Sequence, residues 1–368
     1  MAHETGTFGG VPGSRSFIAT ADDTTGALET AASCADAGHS AVVVHHTRAA
    51  VHLGAADRDA HVVLVDLRSR HLGAPDAAAR LGQVARSVGA LQAHKIDSTL
   101  RGSWVAEVEA LVALGRAVLL VPAFPRAGRT CVGGVVHVDG VPVHETAFGR
   151  DPRSPVTSSR PADRLLDAVE VGDAAAAGVA LDAGARVVVG DAATDFDVRS
   201  YVDLLDGRPD LVVVGPAAVV AAAAGRGEGD TSPNDRHAVP GARALVVSAS
   251  RHPAALEQLE AVRARGIVVV QPPADARVED ADRVLAELAD AARHALAADP
   301  VVDVLVVIGG DTAAAVIGEA DVTVHGTLDV GVASGTVVLD GRRLQLITKP
   351  GGFGTAGTVT GVLDQVMR

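Results

Sequence analysis

Short runs of valine, isoleucine and alanine alternate with amphipathic Ala/Leu stretches along almost the whole chain, and this rhythm limits the fold more than any other feature. Apolar runs of four or five residues mark strands buried on both faces, and the helix-period stretches between them mark crossover helices. Together they predict an α/β protein with mainly parallel sheets flanked by helices. Expected strands are Phe17–Thr20, Ala41–Val44, Val62–Val65, Ala117–Val121, Arg186–Val189 and Leu211–Val214. Expected helices are Thr25–Ala37, Pro75–Leu91, Ser103–Leu114 and Asp195–Leu205. The rhythm restarts with strands at Ala244–Val247, Ile267–Val270 and Val304–Ile308, separated by helices over Pro253–Arg265 and Glu279–Ala298.

At 368 residues the chain exceeds the usual size of a single core. Residues 225–241 are rich in Gly, Asp, Ser, Pro and Asn, which reads as a linker. The division expected is a loose tail over 1–15, a first domain over 16–237 and a second over 238–368, each with its own mainly parallel sheet. The segment 122–161 breaks the rhythm: it is rich in Gly and Pro, too long for an idle loop, and carries Asp139-Gly140 between two β-rich runs, a type I′ hairpin signal. That hairpin, Val135–His144, is the place to look for a homodimer contact.

Composition excludes several functions. A net charge of −13 and 2% aromatics oppose a nucleic-acid surface. No apolar run reaches the ~20 residues that span a bilayer, and a chain with two distant cysteines, Cys34 and Cys131, has neither a disulfide framework nor metal spacing. A cytoplasmic protein is expected, with no nucleic-acid or membrane partner and no metal site built from its own residues. Only Lys95 and Lys349 interrupt an otherwise all-Arg set of cations, and each stands beside a motif.

The motifs are strand-end loops, where open parallel sheets bind ligands. Asp22 and Asp23 follow the first strand and open a helix; one carboxylate suffices as a cap, so a second serves as base, hydroxyl acceptor or metal ligand. The loop Lys95-Ile96-Asp97-Ser98-Thr99-Leu100-Arg101 concentrates cations, a carboxylate and hydroxyls, a set able to grip an acid and read its hydroxyls. Arg68 and Arg70 lie on a third loop of the same edge. In the second half, Gly309-Gly310-Asp311-Thr312, Lys349-Pro350-Gly351-Gly352-Phe353-Gly354 and Ser248-Ala249-Ser250 form glycine- and serine-bearing turns before helices, suited to anions. Neither glycine loop has Walker A or dinucleotide spacing.

These residues, with Pro122–Thr130, His144-Glu145-Thr146, Asp151-Pro152 and Pro155-Val156-Thr157, resemble the four-carbon acid sugar kinase family over nearly the whole chain. The resemblance implies an ATP- and Mg²⁺-dependent kinase acting on the terminal hydroxyl of threonate, erythronate or 3-oxo-tetronate. It places the acid at Asp22, Arg70, Lys95, Ile96, Asp97 and Ser98, and the charge of the same loop adds Arg101 to the grip on the carboxylate. It places ATP at Ser250, Gly309, Gly310, Asp311, Thr312, Gly351, Gly352, Phe353 and Gly354, and the lone lysine of that loop, Lys349, is expected to bind the phosphates with them. Asp22 is the first choice of base, with Asp23 second. The chain departs from the family pattern at Ala249, Arg251 and His252, at Asp311 where Glu is usual, and at Pro350 where Ser is usual. The alternatives are a nucleotide- and acid-binding sensor without turnover, and a non-kinase enzyme acting on hydroxy acids.

Overall fold

The computed structural model describes residues 16–54, 60–151, 153–226, 239, 241–273 and 280–368. The expected tail, nearly all of the expected linker, the boundary near 238 and Pro152 lie outside these. In the first half the elements are β1 (Phe17–Ala21), α1 (Thr24–Asp36), β2 (Ala41–His45), α2 (Ala49–Gly54), β3 (Val62–Asp66), α3 (Ala74–Val88), β4 (Leu91–Lys95), α4 (Trp104–Ala113) and β5 (Ala117–Leu120). A small antiparallel sheet follows, β6 (Arg129–Val132), β7 (Val135–Val138) and β8 (Val141–Pro142). Then come β9 (Val169–Val171), α5 (Ala174–Asp182), β10 (Val187–Gly190), α6 (Asp195–Val202), β11 (Leu211–Gly215) and α7 (Ala217–Ala224). The second half holds β12 (Arg243–Ser248), α8 (Pro253–Ala264), β13 (Val268–Val270), α9 (Ala281–Ala298), β14 (Val302–Ile308), α10 (Gly310–Ile317), β15 (Val322–Asp329), β16 (Val332–Leu339), β17 (Arg342–Lys349) and α11 (Thr358–Val366).

The strands expected from apolar runs are present within a residue or two at each end. The Asp139-Gly140 turn has both residues at positive φ, 51° and 83°, as the type I′ turn requires. Among the described residues the strands of both halves join one fourteen-stranded sheet, in the order β13-β12-β14-β17-β16-β15-β2-β3-β1-β4-β11-β5-β10-β9. Only the pairings made by β15 and β16 are antiparallel, and β15 meets β2 through Val322–Val43, Thr323–Val42 and Val324–Ala41. The parallel strands of the two halves therefore run in opposite senses along a sheet that twists at every step.

The order of strands reverses at β1, which lies between β3 and β4. Helix α1 covers one face with Ala27, Leu28 and Ala31, whereas α3 and α4 cover the other with Leu81, Val84, Trp104, Val108 and Leu111. The same reversal occurs at β12, between β13 and β14: α9 and α10 cover one face, α8 and α11 the other. Crevices at such reversals are where open α/β sheets take ligands. Helix α1 is buried nearly all round because it packs against both halves, on α7, on α10 and on β15. Its core is continuous with that of α10 and β15, so the halves share one apolar interior.

Candidate active site

Asp22 is the keystone of the first crevice. Its main chain ties three loops together: the amide donates to the Lys95 carbonyl, and its carbonyl accepts from the amides of Ser69 and Arg70. Its carboxylate receives Arg70 through two parallel bonds, Nε at 2.8 Å and Nη2 at 2.9 Å, and Lys95 Nζ at 3.1 Å. Burial pushes this carboxyl up, but Arg70 and Lys95 outweigh it and hold it below the usual carboxylate range. Asp23 caps α1 by accepting from the Gly26 amide at 3.1 Å, and the same Oδ1 takes Arg70 Nη2 at 2.6 Å and Lys95 Nζ at 2.7 Å. Lys95 reaches this position by crossing α1 where Gly26 has no side chain; a Cβ there would collide with Nζ.

Asp97 closes the cluster. Arg101 donates to it through Nε and Nη2, both at 2.9 Å, and Arg70 Nη2 lies 3.7 Å away. Burial raises the Asp97 carboxyl, yet the two guanidiniums hold it far below its ordinary value. Arg101 itself stacks on Phe148, 5.1 Å from the ring centroid, and points a further nitrogen toward Asp151 at 3.5 Å. The long excursion thus returns to the site, where Ser154 accepts from the Gly102 amide at 2.7 Å.

The cations expected to hold a substrate carboxylate are largely paired internally. Arg70 and Lys95 are buried against Asp22 and Asp23, while Arg101, 29% exposed, and the half-buried Ser98 face the opening. Ile96 is fully buried and gives its amide to the Gly215 carbonyl, so it packs beneath the loop and offers no side chain to a ligand.

In the second crevice three loops converge. The Gly309 amide donates to the Lys349 carbonyl at 2.8 Å, and the Ala249 amide donates to Thr312 Oγ1 at 3.1 Å. Ser250 lies against Gly351, where a Cβ would come 2.5 Å from its hydroxyl. Gly309, at φ 106°, makes the turn that opens α10. Lys349 differs from the expectation. Alternation along β17 turns it to the same face as Ile347, so its side chain lies in an apolar chamber with Val306, Val332, Val359 and Val362 and donates to the Pro350 carbonyl at 2.7 Å. Burial pushes its ammonium down to about 8. It braces the glycine loop from beneath and does not enter the loop's mouth. Phe353 is 40% exposed and stacks its edge near Gly331.

The two crevices meet at the start of α10. Asp311 accepts from Arg153 at 3.1 Å and lies 3.4 Å from His71 Nε2, so it bridges the halves; its bond with His71 is the main reason its carboxyl lies below the ordinary range. Gly310 lies directly on the Asp23 turn: a Cβ there would stand 2.8 Å from Thr25 Oγ1 and 3.4 Å from Asp23 Oδ2.

Several supporting residues were not anticipated. Ser69 donates to the fully buried Glu107, which also bonds His94 at 3.2 Å, while His94 bonds Thr20 at 2.9 Å. This chain braces the residues just before Arg70 and Lys95 from behind. Its one signal in the sequence is a glutamate on the apolar stripe Trp104–Val108–Leu111 of α4. Glu29, one turn beyond Gly26, has its carboxyl raised by burial. Among the described residues, no group of three or more His, Cys, Asp or Glu forms a metal cage, and no helix is long and apolar enough to cross a membrane.

The model of the sugar-binding N-terminal domain family matches residues 17–223. A D-threonate kinase from Bordetella bronchiseptica is 32% identical over 378 aligned residues, 93% of this chain and 89% of that protein. A D-threonate kinase from Cupriavidus necator is 38% identical over 202 residues, half of this chain and 48% of that protein. Among solved structures, a Bordetella bronchiseptica protein with bound citrate, a domain-swapped dimer, is 28% identical and covers 97% of this chain and 100% of its own, with a TM-score of 0.52. A Haemophilus influenzae protein at 19% identity, covering 95% of this chain and all of its own, shares the fold with a TM-score of 0.71. With the family model spanning both sides of the first crevice and a relative aligned across nearly the whole chain, this protein belongs to the sugar-binding N-terminal domain family.

Proposed function

We propose that this chain is an ATP-dependent kinase that phosphorylates the terminal hydroxyl of a four-carbon sugar acid of the threonate, erythronate and 3-oxo-tetronate class. The observation that carries this reading is the contact of Gly310 with Asp23 and Thr25: an anion-binding helix start in one half abuts a carboxylate-lined crevice in the other. The D-threonate, D-erythronate and 3-oxo-tetronate kinases among its relatives support the substrate class.

In this reading the acid's carboxylate is held at Arg101 and Ser98, with Arg70 and Lys95 supplying field from behind, and its hydroxyls are read by Asp97 and Asp23. The first-turn amides of α10 and the Ser250 and Gly351–Gly354 loops hold the phosphates of ATP, since helix N-termini favour anions. The hydroxyl oxygen forms the new bond to the γ-phosphorus. The bond to the β–γ bridging oxygen breaks, ADP leaves with that electron pair, and the hydroxyl proton passes to Asp23 Oδ2. Asp23 is a better base than Asp22, whose two oxygens are both taken by cations. Mg²⁺ would neutralise phosphate charge when bound; the described residues form no cage of protein ligands, so the phosphate oxygens themselves are the fitting donors and Asp23 Oδ2 stays free as the base. A cytoplasmic homodimer belongs to the same proposal. The domain-swapped Bordetella relative and the exposed Val132 and Val141 on the β6–β8 sheet support it, and sedimentation at micromolar concentration reads it.

A coupled ADP-release screen over D- and L-threonate, D- and L-erythronate and 3-oxo-tetronates, with ATP and Mg²⁺, is expected to give turnover with at least one acid. No ADP release with any of them would sink the reading. Because Gly310 has no room for a Cβ, Gly310→Ala is expected to part the reacting groups by a fraction of an ångström to an ångström and lower kcat by about 10²-fold. Thermal stabilisation by the acid should survive, because every residue of the acid grip belongs to the first half.

A further inference from the structure

Thr25 stands in the first turn of α1, two residues after Asp23, and is 8% exposed. Its hydroxyl is shielded from solvent and finds no hydrogen-bond partner among the described residues. The neighbouring threonines are satisfied: Thr24 donates to Asp66 at 2.6 Å, and Thr30 donates to the Gly26 carbonyl at 2.7 Å. A buried hydroxyl left unpaired destabilises a fold, and valine fills the same space without that cost, so Thr25 calls for a reason beyond packing.

Its direction supplies one. The hydroxyl points at Gly310, beside Asp23 Oδ2 and at the amide end of α10. The helix start, the free carboxylate oxygen and the unpartnered hydroxyl thus converge on one point between the halves. We propose that Thr25 is a catalytic residue whose hydroxyl donates a hydrogen bond to an equatorial oxygen of the phosphoryl group in transit; this rests on the kinase reading above. A phosphoryl group seated on the α10 amides displaces the Gly310 methylene from Thr25 and takes that hydrogen bond. Thr25 keeps its proton throughout; the acceptor's proton goes to Asp23. Its contribution is a fixed donor aimed at charge on the moving group, the kind of donor whose effect appears in kcat.

The test compares wild type, Thr25→Val and Thr25→Ser in ADP release with the best acid from the screen, alongside thermal melts. Thr25→Val is expected to lower kcat by about 10²-fold, with little change in KM for the acid and a melting midpoint equal to or above wild type. Thr25→Ser is expected to keep most of the rate. A residue that only packs would give the same or a higher midpoint with kcat preserved, so the rate is what separates the two roles. Wild-type kcat in Thr25→Val, beside an active wild-type enzyme, overturns the role of Thr25 alone. A wild type that releases no ADP with any acid overturns the kinase reading and this role with it.

Discussion

Arg70→Ala is expected to abolish measurable turnover and to cost about 3–5 kcal/mol of stability, because it leaves a buried carboxylate pair without its main counter-ion. Arg70 lies within 4 Å of Asp22, Asp23 and Asp97, and is 13% exposed. Burial opposes its charge, yet the three carboxylates hold its guanidinium well above the ordinary value. The pH dependence gives the prediction its sign. In the wild type Asp22 and Asp97 have folded values below their unfolded ones, so their stabilisation is fully present above roughly pH 4 and is lost as pH falls through the depressed folded values. Without Arg70, burial dominates at Asp22 and the sign inverts: protonation is favoured in the fold, and stability falls as pH rises through the raised value. Urea unfolding at pH 5 and pH 8 should therefore find the deficit of the variant larger at pH 8. Arg70→Lys restores charge without the two-pronged grip and should lie between. A variant with an unchanged urea midpoint at both pH values would remove the ion cluster from its place as the frame of the site.

Much of this frame was legible in the sequence, for a definite physical reason. A strand buried on both faces is apolar at nearly every position, so β1, β3, β11 and β14 stand out as runs, and within each half the residues that follow its runs fall at one edge of the sheet. Asp22 and Arg70 follow such runs, whereas Lys95, Asp97 and Arg101 stand out by charge at the end of a short mixed strand, and all five do meet. The pairing within that cluster was not legible: adjacency in space, not in sequence, decides that Arg70 and Lys95 turn to Asp22 and Asp23 and leave Arg101 toward the opening. Strands β15 to β17 escaped notice because runs such as Val322-Thr323-Val324-His325 mix polar residues into half-exposed positions, and no local signal announces that β15 pairs with β2. Lys349 drew attention by rarity, but alternation along β17 decided its direction. Ile96 sat in the right loop and faces the core.

The ranking of the two aspartates is where geometry changes the expectation most, and it gives the other large effect. Asp23→Asn is expected to lower kcat by about 10²–10⁴-fold, the range for loss of a positioned base, while leaving the fold nearly intact and lowering the acid's affinity far less than kcat. Asparagine caps a helix as well as aspartate does, so the start of α1 survives the change. What disappears is the basicity of Oδ2, the oxygen that faces Gly310 while Oδ1 is occupied by Arg70, Lys95 and the Gly26 amide. Asp22→Asn should behave differently. An amide cannot return both bonds to Arg70, so the three loops bound at Asp22 loosen, and the loss appears first as lower stability and weaker acid binding. Measuring kcat, acid-induced thermal shift and urea midpoint for both variants separates the roles. A wild-type rate in Asp23→Asn, together with a stable but inactive Asp22→Asn, would exchange them and would require Asp22 to release a cation before it could take a proton.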